Sequence, residues 1–186
     1  MAVVVAVVVC AWAVAVVRRL RRIQASLSAS RRLLEVELNR RYELVDALVV
    51  AARRADAPSA ALAPLAGARS LALGFREQQL TLGEQAGSEN ALSVALHRVL
   101  LEVAEDPAVK NDWSVQRPAL EVRNTEQRLV GAARVYNGTA TALNTLVRGL
   151  PAGPVARAFG GRPVPLFEAT AAELHVSAPT AAPANS

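Results

Sequence analysis

The hydrophobic pattern of this chain begins as an unbroken run and then becomes periodic. Met1 to Val17 contains no charged side chain, and Arg18, Arg19, Arg21 and Arg22 follow at once. From about Ser26 to Ala57, Leu27, Leu34, Leu38, Val45, Leu48 and Ala52 recur at helical steps, which marks an apolar stripe. Pro58 closes that segment, because the residue before a proline is pushed out of the α region. No glycine or proline separates Val17 from Leu27, so the apolar run can continue into this helix as one rod. The serines at 26, 28 and 30 argue the other way.

Three more helices follow from the same reading. The second is expected after Ser59, with Pro64 near its first turn, and runs to about Gln85. Gly67, Gly74 and Gly83 weaken it by roughly 1 kcal/mol each relative to alanine. The third spans about Glu89 to Glu105, with Leu92, Leu96, Val99, Leu100 and Val103 on one side, and Glu105-Asp106-Pro107 ends it. The fourth carries the longest stripe: Val115, Pro118, Val122, Thr125, Leu129, Ala133, Tyr136, Ala140, Leu143, Val147 and Leu150. Gly149 and Pro151 stop it, and Pro118 fits only near its start, so regular helix is expected from about Arg117. The predicted fold is therefore all-α. An N-terminal transmembrane helix with its basic collar (1–23) precedes an antiparallel bundle of about four long helices (24–169). The Gly- and Pro-rich stretch from Pro151 to Phe167 is expected to lie over the bundle, and 170–186 to form a disordered tail.

Length decides how the opening run is read. Seventeen residues at ~1.5 Å each cover about 25 Å, the short end of what a hydrocarbon core of ~30 Å needs. Arginine stems at 18–22 can lie along the apolar layer with their heads at the phosphates, and Leu20 and Ile23 extend the greasy length. A start codon further upstream would lengthen it too. A cleaved signal peptide would carry its positive charge before the apolar run, whereas here it comes after. The same asymmetry predicts a single-pass protein of the cell membrane, N-terminus outside and the bulk of the chain cytoplasmic.

Charge adds a membrane argument and removes a nucleic-acid one. The net charge is +5 and the isoelectric point about 10.6. Residues 18–54 alone hold ten arginines against Glu35, Glu37, Glu43 and Asp46, or +6. The basic excess is thus juxtamembrane, where each arginine near anionic lipid is worth ~1 kcal/mol. Few aromatics interleave with the arginines, so no base-stacking platform is expected and no nucleic-acid partner. Twenty of the 21 basic residues are arginine, Lys110 being the exception. The single cysteine, Cys10, excludes a disulfide within the chain.

Chemistry is sparse. His97 and His175 lie far apart, and no Cys or acidic pair gives zinc-ligand spacing. There is no nucleophile elbow and no phosphate-binding glycine loop. The carboxylates are expected on solvated helix faces beside arginines. Neither a catalytic residue nor a metal nor another cofactor is expected. One polar feature stands out on the fourth helix. Glu126 and Asn137 are eleven residues apart and Asn137 and Asn144 seven, so each step returns to within ~20° of one direction. This narrow line suits interhelical hydrogen bonds that set register, or else a ligand groove. Arg40 and Arg41 are natural partners for Glu126. Leu38 and Val45 flank them on the core-facing stripe, so Arg41 should point inward.

At these residues the chain resembles the LemA family. The first soluble helix shows Leu38-Asn39-Arg40-Arg41-Tyr42-Glu43-Leu44, then Leu48-Val49. The long helix shows Thr125-Glu126, Ala133-Arg134, Tyr136-Asn137, Asn144 and then Pro151, followed by Val155-Ala156, Phe159-Gly160 and Phe167; the Pro107–Lys110 turn fits as well. Asp46-Ala47, Asp106 and Pro118 depart from the family's pattern. The resemblance implies a single-pass membrane protein with an all-helical soluble part, and it implies no reaction. The expected role is a scaffold or adaptor on the lipid bilayer, binding other membrane proteins or itself. The alternative is a sensor that takes a lipid or an unidentified small ligand along the polar line.

Overall fold

The computed structural model describes residues 1–55, 60–107 and 109–168. Five helices account for most of it: α1 (Ala2–Arg54), α2 (Leu62–Glu77), α3 (Leu82–Glu105), α4 (Trp113–Arg148) and α5 (Ala152–Ala158). Among the described residues there is no strand, and the helices pack against one another, as the stripes predict. The helix break expected at Pro58, the start signal at Ser59 and the tail over 170–186 lie outside the described residues.

The apolar N-terminal run and the first soluble helix are one helix. The serines do not interrupt it, and two of the three bond back onto carbonyls of the preceding turn. Ser28 Oγ donates to the Gln24 carbonyl and Ser30 Oγ to the Leu27 carbonyl, each at 3.0 Å.

Three boundaries differ from those expected. Residues 82–88, divided above between the second helix and the linker to the third, belong to α3. Thr81 caps α3, accepting from the Glu84 backbone N–H while the Glu84 side chain accepts from the Thr81 N–H. That reciprocal capping box is written in the sequence as Thr81-x-x-Glu84 and sets the start. Gln79, at φ 54°, turns the chain between α2 and α3. Helix α4 starts one turn earlier than expected, at Trp113, so Pro118 lies inside it. Asp112 provides the cap, its Oδ1 accepting from the Ser114 N–H at 2.8 Å. Helix α5 was not foreseen. It is a single short element in which Gly153 and Ala156 are buried, and a Cβ at Gly153 would stand 2.6 Å from the Val147 carbonyl oxygen.

The chain divides into two compact units. The first unit comprises Met1–Glu35 and Ala132–Phe167. Its core gathers Val16 and Leu20 from α1, Leu143, Leu146 and Val147 from α4, and Ala156 from α5. Leu20 is only 1 % exposed, and Ile23 packs against the same cluster. Leu20 therefore belongs to the protein core and Ile23 is partly buried against it, so neither simply extends the exposed apolar stretch. Within this unit α1 and α4 run antiparallel: Ser30 Oγ and Thr139 Oγ1 share a hydrogen bond of 3.1 Å, while Leu20 lies against Leu143–Val147.

The second unit comprises Val36–Gly131 and, among the described residues, Glu168. Here α3 and α4 are antiparallel. Ser93 meets Glu126, the Leu100 carbonyl meets Arg123, and the Val103 carbonyl meets Gln116. The buried positions of α1 in this unit are Val45, Leu48, Val49 and Ala52 together with Leu38, Arg41 and Tyr42, which continues the heptad-like stripe.

The two units differ in charge. The first holds ten arginines (18, 19, 21, 22, 31, 32, 134, 148, 157 and 162) and a single acid, Glu35, hence +9. Subtracting that from the chain's +5 leaves −4 for all other residues.

Burial of Leu20 generates a test. Leu20→Ala should cost ~2–5 kcal/mol, as for a large-to-small change in a packed core. Val9→Ala, on the exposed apolar stretch, should leave stability unchanged. Thermal unfolding of the full chain in detergent measures both; equal midpoints for the two variants would show that Leu20 faces lipid.

Candidate functional site

Two polar clusters stand out, one in each unit. In the second unit, Arg41 replaces an apolar residue on the α1 stripe and its side chain is almost wholly buried. A guanidinium there needs carboxylates, because an unpaired buried charge is prohibitively costly. Nη1 donates to Glu126 Oε1 at 3.0 Å and to Ser93 Oγ at 2.8 Å, and Nη2 donates to Glu89 Oε2. The other Glu89 oxygen accepts from the Tyr42 hydroxyl, and Ser93 Oγ bridges on to Glu126 Oε2 at 3.3 Å. The Arg76 guanidinium lies 5.8 Å from the centre of the Tyr42 ring. Arg69 Nε donates to the Tyr42 carbonyl at 2.8 Å.

Electrostatics follows from this arrangement. Burial by itself lowers the Arg41 pKa, but Glu126 and then Glu89 outweigh it, and the net shift is upward. Arg41 is thus held as a cation. Burial, followed by the charge and hydrogen bond of Glu89, pushes the Tyr42 phenol well above its ordinary value. One guanidinium against two carboxylates leaves an excess negative charge, and Glu126, whose side chain is 20 % exposed, can share it with water.

The sequence pointed to Arg41 and Glu126, and the structure brings them together. It missed Glu89, which contradicts the expectation that the carboxylates all sit on solvated faces. The signal was present: Gln85, Glu89, Leu92, Leu96, Val99 and Val103 alternate steps of four and three, and all are buried. Glu89 occupies a core position of its helix, as Arg41 does on α1. Arg40 and Arg134 are exposed and join neither cluster.

The second cluster lies in the first unit and involves the remaining members of the polar line. Asn137 and Asn144 do not bridge helices. Asn137 Nδ2 donates to the Phe167 carbonyl at 2.9 Å and its Oδ1 accepts from the Phe167 N–H at 2.8 Å. Asn144 does the same with Val164, at 2.8 Å each way. The Tyr136 hydroxyl donates to the Pro165 carbonyl at 2.9 Å. An amide side chain presents one donor and one acceptor side by side, so it pairs with one residue of extended backbone as a neighbouring strand would.

The spacing explains why two asparagines suffice. Seven residues of helix rise ~10.5 Å and three residues of extended chain ~10 Å. A seven-residue Asn repeat on α4 therefore matches the Val164–Phe167 separation. Phe167 is buried, and a Cβ at Gly161 would stand 2.8 Å from the Ala156 carbonyl oxygen, so the chain passes too close there for a side chain. The 161–168 segment lies along α4 because these groups hold it there. Burial pushes the Tyr136 phenol pKa up, with Arg31 opposing.

The four collar arginines, Arg18, Arg19, Arg21 and Arg22, are exposed, while Val16 just before them and Leu20 between them face the core. Before Val16 the apolar residues are exposed, and α1 is the one described helix long and apolar enough to cross a membrane. A cavity of about 570 Å³ opens in the second unit among Ala52, Leu62, Val99 and Val103, with Glu102 and Glu105 also lining it. Among the described residues no group of three or more His, Cys, Asp or Glu is placed to hold a metal ion; His97 is half-buried on α3.

An all-helical frame among the described residues, an apolar N-terminal helix and two polar clusters, in which Arg41 Nε alone is buried without a hydrogen-bond partner, fit a helical protein of membrane-associated type. The chain belongs to the LemA family, whose model matches residues 30–180. The match includes both clusters and begins after the apolar run. No curated protein matches the chain.

Two substitutions test the clusters. Arg41→Leu should destabilise by about 3–5 kcal/mol, since it leaves Glu89 buried without its cation. Arg40→Leu, one residue away and exposed, should change little. Denaturant unfolding in detergent compares them, and a cost under about 1 kcal/mol at Arg41 would show that the network does not hold the unit together. Asn144→Leu should release the backbone of 162–168 without unfolding α4. Hydrogen exchange at Val164 reads this directly, and unchanged protection there would refute the amide ladder.

Proposed function

We propose that this protein is a membrane-tethered helical scaffold or adaptor without enzymatic activity. It is held by α1 as a single-pass anchor, with the N-terminus outside and the bulk of the chain on the cytoplasmic side. The observation that carries the reading is the state of the polar groups. Asn137 and Asn144, the groups best suited to grip a ligand on α4, are occupied by the chain's own backbone. Arg41, Glu89 and Glu126 are occupied by one another. Such polar networks rigidify a bundle and specify its packing; they leave its outer faces to meet a partner. Orientation is supported by the arginines that follow the apolar run and by the +9 of the unit containing it.

A sensor role has one supporting observation, the partly open cavity bordered by Ala52, Leu62, Val99 and Val103. Its size is within the range of small-molecule sites, and Glu102 and Glu105 would suit a ligand with a cationic end. That site is not the polar line on which the sensor reading first rested.

One set of single-cysteine variants tests tether and role together. In a Cys10→Ala background, Arg54→Cys should resist impermeant maleimide in intact cells, and labelling there would overturn the orientation. Arg40→Cys and Arg134→Cys, both on exposed helix faces, should give discrete crosslinked products in the native membrane. The scaffold reading requires those products. Their absence, together with thermal stabilisation of the purified full chain by a small cation that Val103→Trp abolishes, would replace it with the sensor.

A further inference from the structure

The corner that joins α4 to α5 combines features that the core does not explain. Leu150 is 83 % exposed and Phe159 61 % exposed. Single exposed apolar residues are ordinary. These two, however, flank the seven-residue helix α5, whose buried residues are Gly153 and Ala156. Around them, Arg148, Pro151, Pro154, Arg157 and Arg162 are exposed as well. From Ala132 to Phe167 the chain has four arginines and no acidic residue at all.

Register locates this corner along α1. Ser30 pairs with Thr139, and α1 and α4 are antiparallel in this unit. Leu150 lies eleven residues beyond Thr139 and Arg19 eleven before Ser30, so at equal rise per residue the two stand about level. The core cluster agrees, since Val16 and Leu20 pack against Leu146, Val147 and Ala156. The corner is therefore at the height of the arginine collar. The lipid-facing stretch of α1 must end just above that level, because Val16 is already inside the protein core.

We propose that the α4–α5 corner is a second membrane contact: Leu150 and Phe159 insert into the interface of an anionic bilayer, ringed by Arg148, Arg157 and Arg162 and continuous with the collar. This rests on α1 spanning the same bilayer. The occupant follows from charge complementarity and from continuity with the helix exit. A unit of net charge +9 that carries two bare apolar side chains beside Arg148, Arg157 and Arg162 suits acidic headgroups over hydrocarbon, the chemistry by which interfacial segments bind. One membrane contact at the anchor leaves the unit free to rotate about α1, and a second on its flank fixes its orientation. Gly160, at φ +86°, takes the left-handed turn directly after Phe159.

Depth-resolved fluorescence quenching tests this with the full chain in vesicles of phosphatidylcholine and phosphatidylglycerol whose acyl chains are brominated at defined depths. The Phe159→Trp reporter is placed in a Trp12→Phe, Trp113→Phe background, and a Trp113→Phe protein keeps Trp12 as the anchor's own probe. Trp12 should be quenched by deep bromines. The reporter at 159 should be quenched by shallow ones, with a blue-shifted emission. In vesicles of phosphatidylcholine alone, or in high salt, the reporter should move back to aqueous emission while Trp12 does not change. Quenching of Trp12 without quenching at 159 would overturn the second contact and leave the anchor intact. Quenching of neither would overturn the anchor first and this inference with it. Quenching at 159 that ignores lipid charge and salt would overturn the role of the arginine ring. A Leu150→Trp reporter in the same background repeats the measurement from the other side of α5.

Discussion

Helix α1 carries two patterns of surface on one continuous backbone. Its opening residues are apolar on every side, as a helix in hydrocarbon must be. From Val16 onward it buries a single stripe against protein: Val16 and Leu20 in the first unit, then Leu34, Leu38, Val45, Leu48 and Ala52. The change of regime occurs within a few residues, at the collar, where alternate positions serve different ends. Leu20 is in the core while Arg18, Arg19, Arg21 and Arg22 stand outside it. Because the hydrogen-bond ladder runs unbroken through the serines, the end of the apolar segment is tied to the packing of the residues below it. The other elements are arranged around this helix within each unit.

The buried ionic cluster shows what it takes to put a charge on such a stripe. Arg41 takes a position that its neighbours three and four residues away fill with Leu38 and Val45. Two carboxylates from different helices and a serine then converge on its Nη1 and Nη2, and the Tyr42 hydroxyl completes Glu89. A buried ion pair of this kind adds little over a well-packed apolar residue, but breaking one partner is costly. Its value here is in specification, because α1, α3 and α4 meet in one register only when Arg41, Glu89 and Glu126 coincide. The asparagine pair does comparable work with neutral groups. Helical and extended rises happen to match over seven and three residues, and this lets α4 hold a strand-like segment along its length without any sheet.

Charge is distributed by unit rather than by helix. Every arginine that follows Ala132 lies in the same unit as the collar, and Glu35 is that unit's only acid. A sequence window over 18–54 shows part of this excess. It cannot show that Arg148, Arg157 and Arg162 belong with it, because they are more than a hundred residues beyond the collar along the chain.

The sequence alone determined the helical class, the apolar segment and its basic border, the family, and the face of each long helix that turns inward, except at Leu150, which lies past the end of α4 and is exposed. Those properties depend on local spacing: a stripe recurring every three or four residues can bury itself in only one way, and an uncharged apolar run followed by arginines is visible in the sequence itself. The sequence also determined that Arg41 faces inward and suits Glu126, since its position on the stripe is fixed by its neighbours. Only the tertiary structure decided the partners of the other polar groups. Glu89 has the spacing of a core residue, yet its type argued for water until Arg41 and Tyr42 appeared opposite it. Asn137 and Asn144 formed a visible line, but whether an amide meets a helix, a ligand or extended backbone depends on which segment returns to cover it. The start of α3 and the helix α5 fell to short-range signals, a capping box and a glycine contact, that a period of three to four residues does not register. Periodicity says which side of a helix is buried, and the chain that folds back onto that side says what the burial is for.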